Sequence, residues 1–288
     1  MQLSNINFIK SLLSRHGFHF SKALGQNFIV DSSVCPKMAE FATRFDDKFG
    51  VIEIGPGIGV LTRELSRCAQ KVVAIELDRR LIPILKETLA DCKNTEVIWG
   101  DAMKLDLHSL IREKFGDMRV AVCANLPYYI TSPIIMGLLE AKLPLDNITV
   151  MVQKEAAVRF CAEPGSRECG AVSAAVWYYS RPKILFDVGP GAFSPRPKVN
   201  SAVMHLVLRE QPPVQVQDEA FFFTVVRAAF GQRRKTAANA IAALTGIPRA
   251  DVDAAIAEAG LPAAVRAERM TLEQFAVLSD ILYKTKKQ

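Results

Sequence analysis

Apolar and polar positions follow two alternating rhythms through the first two thirds of the chain. Short runs dominated by apolar positions recur in "GVIEIG" (50–55), "KVVAIE" (71–76), "TEVIWG" (95–100), "RVAVCAN" (119–125) and "NITVMVQ" (147–153). Their length and β-branched content are those of strands buried on both faces. Between them, "VLTRELSRCA" (60–69), "DRRLIPILKETLADC" (78–92) and residues 133–141 place apolar side chains at helical spacing. Strand and helix in alternation predict a mostly parallel sheet covered on both faces. Two later runs, "KILFDV" (183–188) and "SAVMHLVL" (201–208), have no long helix between them and predict an antiparallel pair at the sheet edge.

The rhythm changes at "REQPPVQVQD" (209–218), a polar stretch with two prolines that reads as a linker. Beyond it, residues 219–230, 235–244, 249–259 and 272–283 are Ala- and Phe-rich with helical spacing. The pattern therefore predicts an α/β domain over residues 1–210 and a small all-helical domain over 211–288. The first twenty residues, "MQLSNINFIKSLLSRHGFHF", are mildly amphipathic and lack both a continuous apolar stretch and a small-residue cleavage site. They read as a helix and not as a signal peptide.

Composition narrows the class. Half of the 288 residues are hydrophobic, enough for a sizeable core, yet no run approaches the ~18 apolar residues of a membrane span. None of the six cysteines forms a C-x-x-C pair, and none of the four histidines stands in a metal-ligand spacing. They read as reduced thiols and structural histidines of a cytoplasmic protein without metal. The net charge of +6 is modest, but it is unevenly placed. Residues 220–250 include Arg227, Arg233, Arg234, Lys235 and Arg249 and no acid, and residues 181–209 hold five basic residues against one acid, Asp187. A basic last third suggests a polyanionic partner.

Three motifs sit where strands end. In "EIGPGIG" (53–59), Gly55, Gly57 and Gly59 follow a strand and precede a helix, a turn that lets backbone approach a ligand closely. Glu76 closes the next strand, where a carboxylate can accept both hydroxyls of a ribose. These features suit either a dinucleotide or an adenosyl cofactor. The G-x-G-x-G spacing, with Pro56 removing a backbone donor, favours a cofactor without phosphates. Asp101, in "WGDAMKLDL", can accept from an adenine amino group or cap a helix. In "NLPYY" (125–129), the Asn125 amide oxygen and the Leu126 carbonyl, held extended by Pro127, can both accept from an aromatic amine. Tyr128 offers a face on which a base can stack.

Taken together, "NLPY", "EIGPGIG" and "GDAM" resemble the S-adenosylmethionine-dependent ribosomal RNA adenine N6-dimethyltransferases. So do "LGQNFIVD" (24–31), similar to the cofactor-covering motif of that family, and "FSPRPKVNSAV" (193–203), similar to its target-base loop. "FGQRRKT" (230–236) and "RAERMTLEQF" (266–275) resemble the C-terminal domain of the small-subunit branch. The resemblance spans residues 16–283. It implies a Rossmann-like class I methyltransferase sheet and cofactor contacts at Asn27, Ile29, Gly55, Glu76, Asp101 and Asn125. Ile29 stands where leucine is common in the family, and its contact is expected through backbone. Asn125, Leu126, Pro127 and Tyr128 form the implied catalytic set, and Phe193 is expected to sandwich the flipped adenine against Tyr128. Tyr129 stands where many relatives carry asparagine and is left outside that set.

The implied reaction is dimethylation of two adjacent adenosines near the 3′ end of 16S rRNA, on a small-subunit precursor, by a monomer. Arg233, Arg234 and Lys235 are expected to begin a helix of the second domain and to clamp phosphates. Three readings compete. A large-subunit rRNA methyltransferase of the resistance type would share the first domain. A nicotinamide oxidoreductase is favoured only by the glycine turn and Glu76. A non-catalytic assembly factor would not need an intact "NLPY".

Overall fold

The structure, a computed structural model, describes residues 3–20, 25–44, 46, 48–232 and 234–287. In chain order these form α1 (Ile6–Arg15), β1 (Phe28–Ile29), α2 (Val34–Thr43), β2 (Gly50–Ile54), α3 (Val60–Cys68), β3 (Lys71–Glu76), α4 (Ile82–Thr88), β4 (Thr95–Trp99), α5 (Leu107–Phe115), β5 (Val120–Asn125), α6 (Thr131–Glu140) and β6 (Asn147–Gln153). There follow α7 (Lys154–Cys161), α8 (Ala171–Tyr179), β7 (Ser180–Val188), β8 (Phe193–Ser194), β9 (Ser201–Leu208), α9 (Glu219–Phe230), α10 (Ala237–Thr245), α11 (Arg249–Glu258) and α12 (Leu272–Lys287).

Seven strands make one sheet in the order β4-β3-β2-β5-β6-β9-β7. Neighbours from β4 to β6 are parallel, and β9 runs antiparallel to β6 from Asn147↔Val207 to Gln153↔Ser201. Every residue of β2 is buried, as a central parallel strand with two covered faces requires. The chain winds outward from β2 to β3 and β4, then returns to place β5 on the other side of β2. That reversal leaves a crevice at the carboxyl ends of β2 and β5, where open α/β sheets bind ligands. A separate two-stranded pairing, β1 with β8, sets Phe28 against Ser194 and Ile29 against Phe193.

The chain divides into two compact units, residues 1–157 with 183–208 and residues 158–182 with 209–288. A single cut at 210 therefore misses one segment, since residues 158–182 group with the C-terminal helices. Aromatic packing explains why. Tyr178 and Tyr179, at the end of α8, lie with their ring centroids 5.0–5.4 Å from Phe222 and Phe223 of α9. Both tyrosine hydroxyls also donate to the Glu219 carboxylate. The stretch 209–218 holds no regular element and leads into α9, whose first turn is capped by Asp218 accepting from Phe221 N–H at 2.8 Å.

A second difference concerns the basic run. Arg234 and Lys235 are exposed and lie in the turn between α9 and α10, not on a helix. The α10 helix starts at Ala237, where the Thr236 hydroxyl caps Asn239 N–H. Arg233 lies outside the described residues. Among the described residues no helix is long and apolar enough to cross a membrane.

Candidate functional site

The carboxyl ends of β2, β3, β4 and β5 open into one cavity, and the segment 25–29 forms part of its wall. Gly55 has φ +70°, and a Cβ built there would meet nothing within 4 Å, because it would project into open space. A substitution would therefore strain the backbone and fill the cavity. Glu76, at the end of β3, is 5% exposed. Its Oε1 accepts from Asp78 N–H at 2.7 Å and its Oε2 from Gly57 N–H at 3.2 Å. Each oxygen keeps acceptor capacity. Burial raises its pKa to about 7, against the pull of those two backbone donors.

Glu53 also lines the cavity and is 1% exposed. Its Oε2 has no hydrogen-bond partner of good geometry among the described residues, and the nearby Thr62 hydroxyl only partly offsets its burial. Burial pushes its pKa up to about 8. Asp101 lies at the rim. Its Oδ1 accepts from Met103 N–H at 3.0 Å, so it closes a turn and does not cap a helix; α5 is capped by Asp106.

Asn125 ends β5, and its Nδ2 donates to the Asn27 carbonyl at 3.1 Å. A carbonyl can only accept, so the amide nitrogen must face it and Oδ1 is turned the other way. Asn27 donates its own amide to Gly25 O at 3.2 Å. Leu126 is 1% exposed, and its N–H is tied to Met151 O of β6. Pro127 has φ −59° and ψ 134°, and its carbonyl takes Ile130 N–H and the Thr131 hydroxyl. Tyr128 is half-buried, with its hydroxyl 2.8 Å from Ser201 Oγ. Burial raises its pKa above the usual phenol value.

Of the residues singled out in the sequence, the cavity brings together Asn27, Ile29, Gly55, Glu76, Asp101, Asn125, Leu126, Pro127 and Tyr128. It does not bring in Phe193. That ring is 4% exposed and packs in the core cluster that includes Ile29, Val34, Cys35 and Val203. From the same loop motif it is Ser201 that reaches Tyr128. Tyr129, noted in the sequence but left outside the catalytic set, also reaches the cavity, and two residues, Gln26 and Asp78, were not singled out in the sequence. Tyr129 is 59% exposed and lines the rim, and its ring lies 3.3 Å from where a Cβ on Gly25 would stand. Gln26 lines the cavity and donates to Asp78 Oδ2 at 2.9 Å. Gln26 stands inside "LGQNFIVD" and Asp78 two places after Glu76, the only signals either carried.

The donor set can be tested against an adenosyl cofactor. The lining includes the carboxyl groups of Glu53, Glu76 and Asp101 and, among the described residues, no lysine, arginine or histidine. A pyrophosphate would find no cation there and one missing N–H at Pro56. A sulfonium or ammonium group finds acidic side chains and no opposing cation, and a ribose finds the two Glu76 oxygens. The residues fit an adenosyl cofactor and do not fit a dinucleotide.

Comparison with known proteins points the same way. The family model described as ribosomal RNA adenine dimethylase matches residues 17–284. A ribosomal RNA small subunit methyltransferase A from Lachnoclostridium phytofermentans is 48% identical, with 94% of each chain covered. One of the same name from a Geobacillus species is 45% identical, with 95% of each covered. Among solved structures, the 23S rRNA methyltransferase ErmE superposes with a TM-score of 0.68 at 28% identity, covering 89% of this chain and 99% of its own. A dimethyladenosine transferase from Plasmodium falciparum shares the fold, with a TM-score of 0.68 at 24% identity, covering 88% of this chain and 95% of its own. From the match over nearly its whole length, and from the high identity of relatives along it, the chain belongs to the ribosomal RNA adenine dimethylase family.

Proposed function

We propose that this methyltransferase transfers methyl groups from S-adenosylmethionine to the exocyclic amine of two adjacent adenosines near the 3′ end of small-subunit rRNA. The acceptor is a partly assembled small subunit in the cytoplasm, and the enzyme acts as a monomer. The observation that carries the reading is the Asn125 amide. Its nitrogen is engaged by Asn27, so its oxygen is the group left to accept from a base in the cavity. Relatives named ribosomal RNA small subunit methyltransferase A, at 45–48% identity, support the choice of substrate.

Glu76 would accept the ribose hydroxyls, Asp101 the adenine amine, and Asn27, Ile29 and Gly55 would line the rest of the cofactor site. S-adenosylmethionine, when bound, supplies an electrophilic methyl group on a sulfonium. The lone pair of the target amine is conjugated with its ring and is a poor nucleophile. Asn125 Oδ1 and the Leu126 carbonyl are two acceptors for its two N–H groups. Their pull favours a pyramidal nitrogen and orients its lone pair. After one methylation a single N–H remains, and either acceptor can hold it. Tyr128, steadied by Ser201, stacks on the extruded base and offsets an unstacking cost of a few kcal/mol. Phe193, packed in the core, would act by holding β8 against β1.

One observation favours a second reading, a large-subunit rRNA substrate: ErmE superposes over almost all of its length. Incubating both unmodified subunits with methyl-labelled S-adenosylmethionine decides. We expect N6,N6-dimethyladenosine by mass spectrometry in small-subunit rRNA alone, and its loss with Asn125→Ala at unchanged circular dichroism. Label confined to large-subunit rRNA establishes the second reading.

A further inference from the structure

The cover of the cavity, segment 25–29, is held at three places. At one end β1 pairs with β8. In the middle the Asn27 carbonyl takes the Asn125 amide. At the other end Gln26 Nε2 donates to Asp78 Oδ2 at 2.9 Å. Asp78 is 7% exposed and does not line the cavity. It is nevertheless a junction. Its N–H donates to Glu76 Oε1 at 2.7 Å, and its carboxylate takes the Arg80 guanidinium at 2.6 and 2.9 Å. Arg80 in turn lies over the Phe18 ring at 5.0 Å and donates to His19 O. The Arg80 side chain, with help from Gln26, holds the Asp78 carboxyl below the usual range, so it is ionised and a strong acceptor.

We propose that Gln26 and Asp78 are positioning residues for methyl transfer. Their hydrogen bond latches the cover shut, and the shut cover holds the Asn27 carbonyl where it orients Asn125 with Oδ1 into the cavity. One aspartate thereby ties the ribose-binding carboxylate, through its backbone N–H, to the amide that aligns the target amine, through the cover. Opening the latch frees the Asn27 carbonyl. The Asn125 amide then has no acceptor to fix it and can rotate its nitrogen toward the base. Such a rotation presents a donor where the amine needs an acceptor. The latch therefore affects both cofactor retention and turnover, and it leaves recognition of the ribosomal subunit alone. This inference rests on the cavity being the cofactor and adenine site.

The test exchanges donor and acceptor. With the full chain and unmodified small subunits, Gln26→Glu sets two carboxylates against each other. It is expected to raise KM for S-adenosylmethionine by about tenfold, lower kcat, and leave KM for the subunit unchanged. Gln26→Ala removes the bond without adding charge and moves the same constants less far. In the pair Gln26→Glu with Asp78→Asn, an amide at position 78 can donate to a carboxylate at position 26. That pair is expected to recover much of the loss suffered by Gln26→Glu, as interacting residues do in a double-mutant cycle. A role limited to folding would give no such reciprocal rescue. The latch is refuted if Gln26→Glu leaves KM for the cofactor and kcat unchanged, or if the exchanged pair is no better than Gln26→Glu alone. Glu76→Ala is measured alongside. If it too leaves cofactor affinity unchanged, the reading of the cavity fails and not merely the latch.

Discussion

The proposed role of Glu76 as acceptor for the ribose hydroxyls makes cofactor affinity a function of pH, with a sign and size that follow from its burial. In the free protein its pKa is about 7, raised from 4.5 chiefly by desolvation. Near neutrality half of the molecules thus hold a protonated carboxyl. Ribose hydroxyls donate, so they favour the ionised form, and binding must expel the proton wherever it is present. Apparent affinity then falls as pH drops below about 7 and levels off above it. With a pKa of about 7, the dissociation constant should be about tenfold larger at pH 6 than at pH 8. Glu76→Gln keeps the shape, removes the titration and replaces one acceptor by a donor. Losing a hydrogen bond to a charged group costs about 1.5–3 kcal/mol, roughly ten- to hundredfold in affinity at pH 8. Titration calorimetry with S-adenosylhomocysteine in buffers of different ionisation enthalpy measures both affinity and proton release. The expected wild-type result is about half a proton released at pH 7, and none in the variant from this group. A flat wild-type profile, or the same slope in Glu76→Gln, refutes the reasoning.

Glu53 gives a stability signature without any ligand. Burial holds its folded pKa at about 8 against an ordinary 4.5, so the folded state keeps a proton that the unfolded state releases between those values. Stability therefore declines as pH rises from about 4.5 to 8, by on the order of 4 kcal/mol; chemical denaturation of Glu53→Gln should lack that part of the decline. Tyr128→Phe removes the Ser201 hydrogen bond but keeps the stacking face, and should cost less than tenfold in kcat/KM, about one ordinary hydrogen bond. Tyr128→Ala removes the face as well and should cost about 1–3 kcal/mol more in steady-state assays. Replacing both Arg234 and Lys235 by Ala should weaken subunit binding and lower its salt slope by about one per residue, with cofactor affinity unchanged. An unaltered slope in filter binding would place the RNA-binding face elsewhere.

Residues at strand ends were the legible part of this site. Glu76 and Asn125 close apolar runs, and an ionisable or amide group there has to face the crevice of a parallel sheet. Contacts between distant segments were not legible. Nothing in local pattern ties Gln26 to Asp78 or Tyr128 to Ser201, since those pairs meet only once the sheet has formed. Phe193 was recognisable in its motif, but the motif does not say which way the ring turns, and the β1–β8 register sends it into the core. The α8 helix shows the limit for the fold. "AVSAAVWYY" is apolar nearly all round, so it lacks the 3.6-residue period that marks a helix lying on a surface. Without that helix, the grouping of residues 158–182 with the C-terminal unit could not be foreseen. The seven-strand sheet, by contrast, followed from seven apolar runs and the helical spacing between most of them.

The pairing of β1 with β8 also sets a schedule. Every described residue lining the cavity has been synthesised once the ribosome passes Ile134, yet the strand that pins the cover ends at Ser194 and the serine that steadies Tyr128 is Ser201. At translation rates of ~5–20 residues per second that gap lasts roughly 3–13 s. A nascent chain in that interval carries the glycine turn, the carboxyl groups and two of the three ties on their cover, but not the β1–β8 pairing. The third tie on the cover is thus a late event in the synthesis of this chain, possible only once β8 has been made.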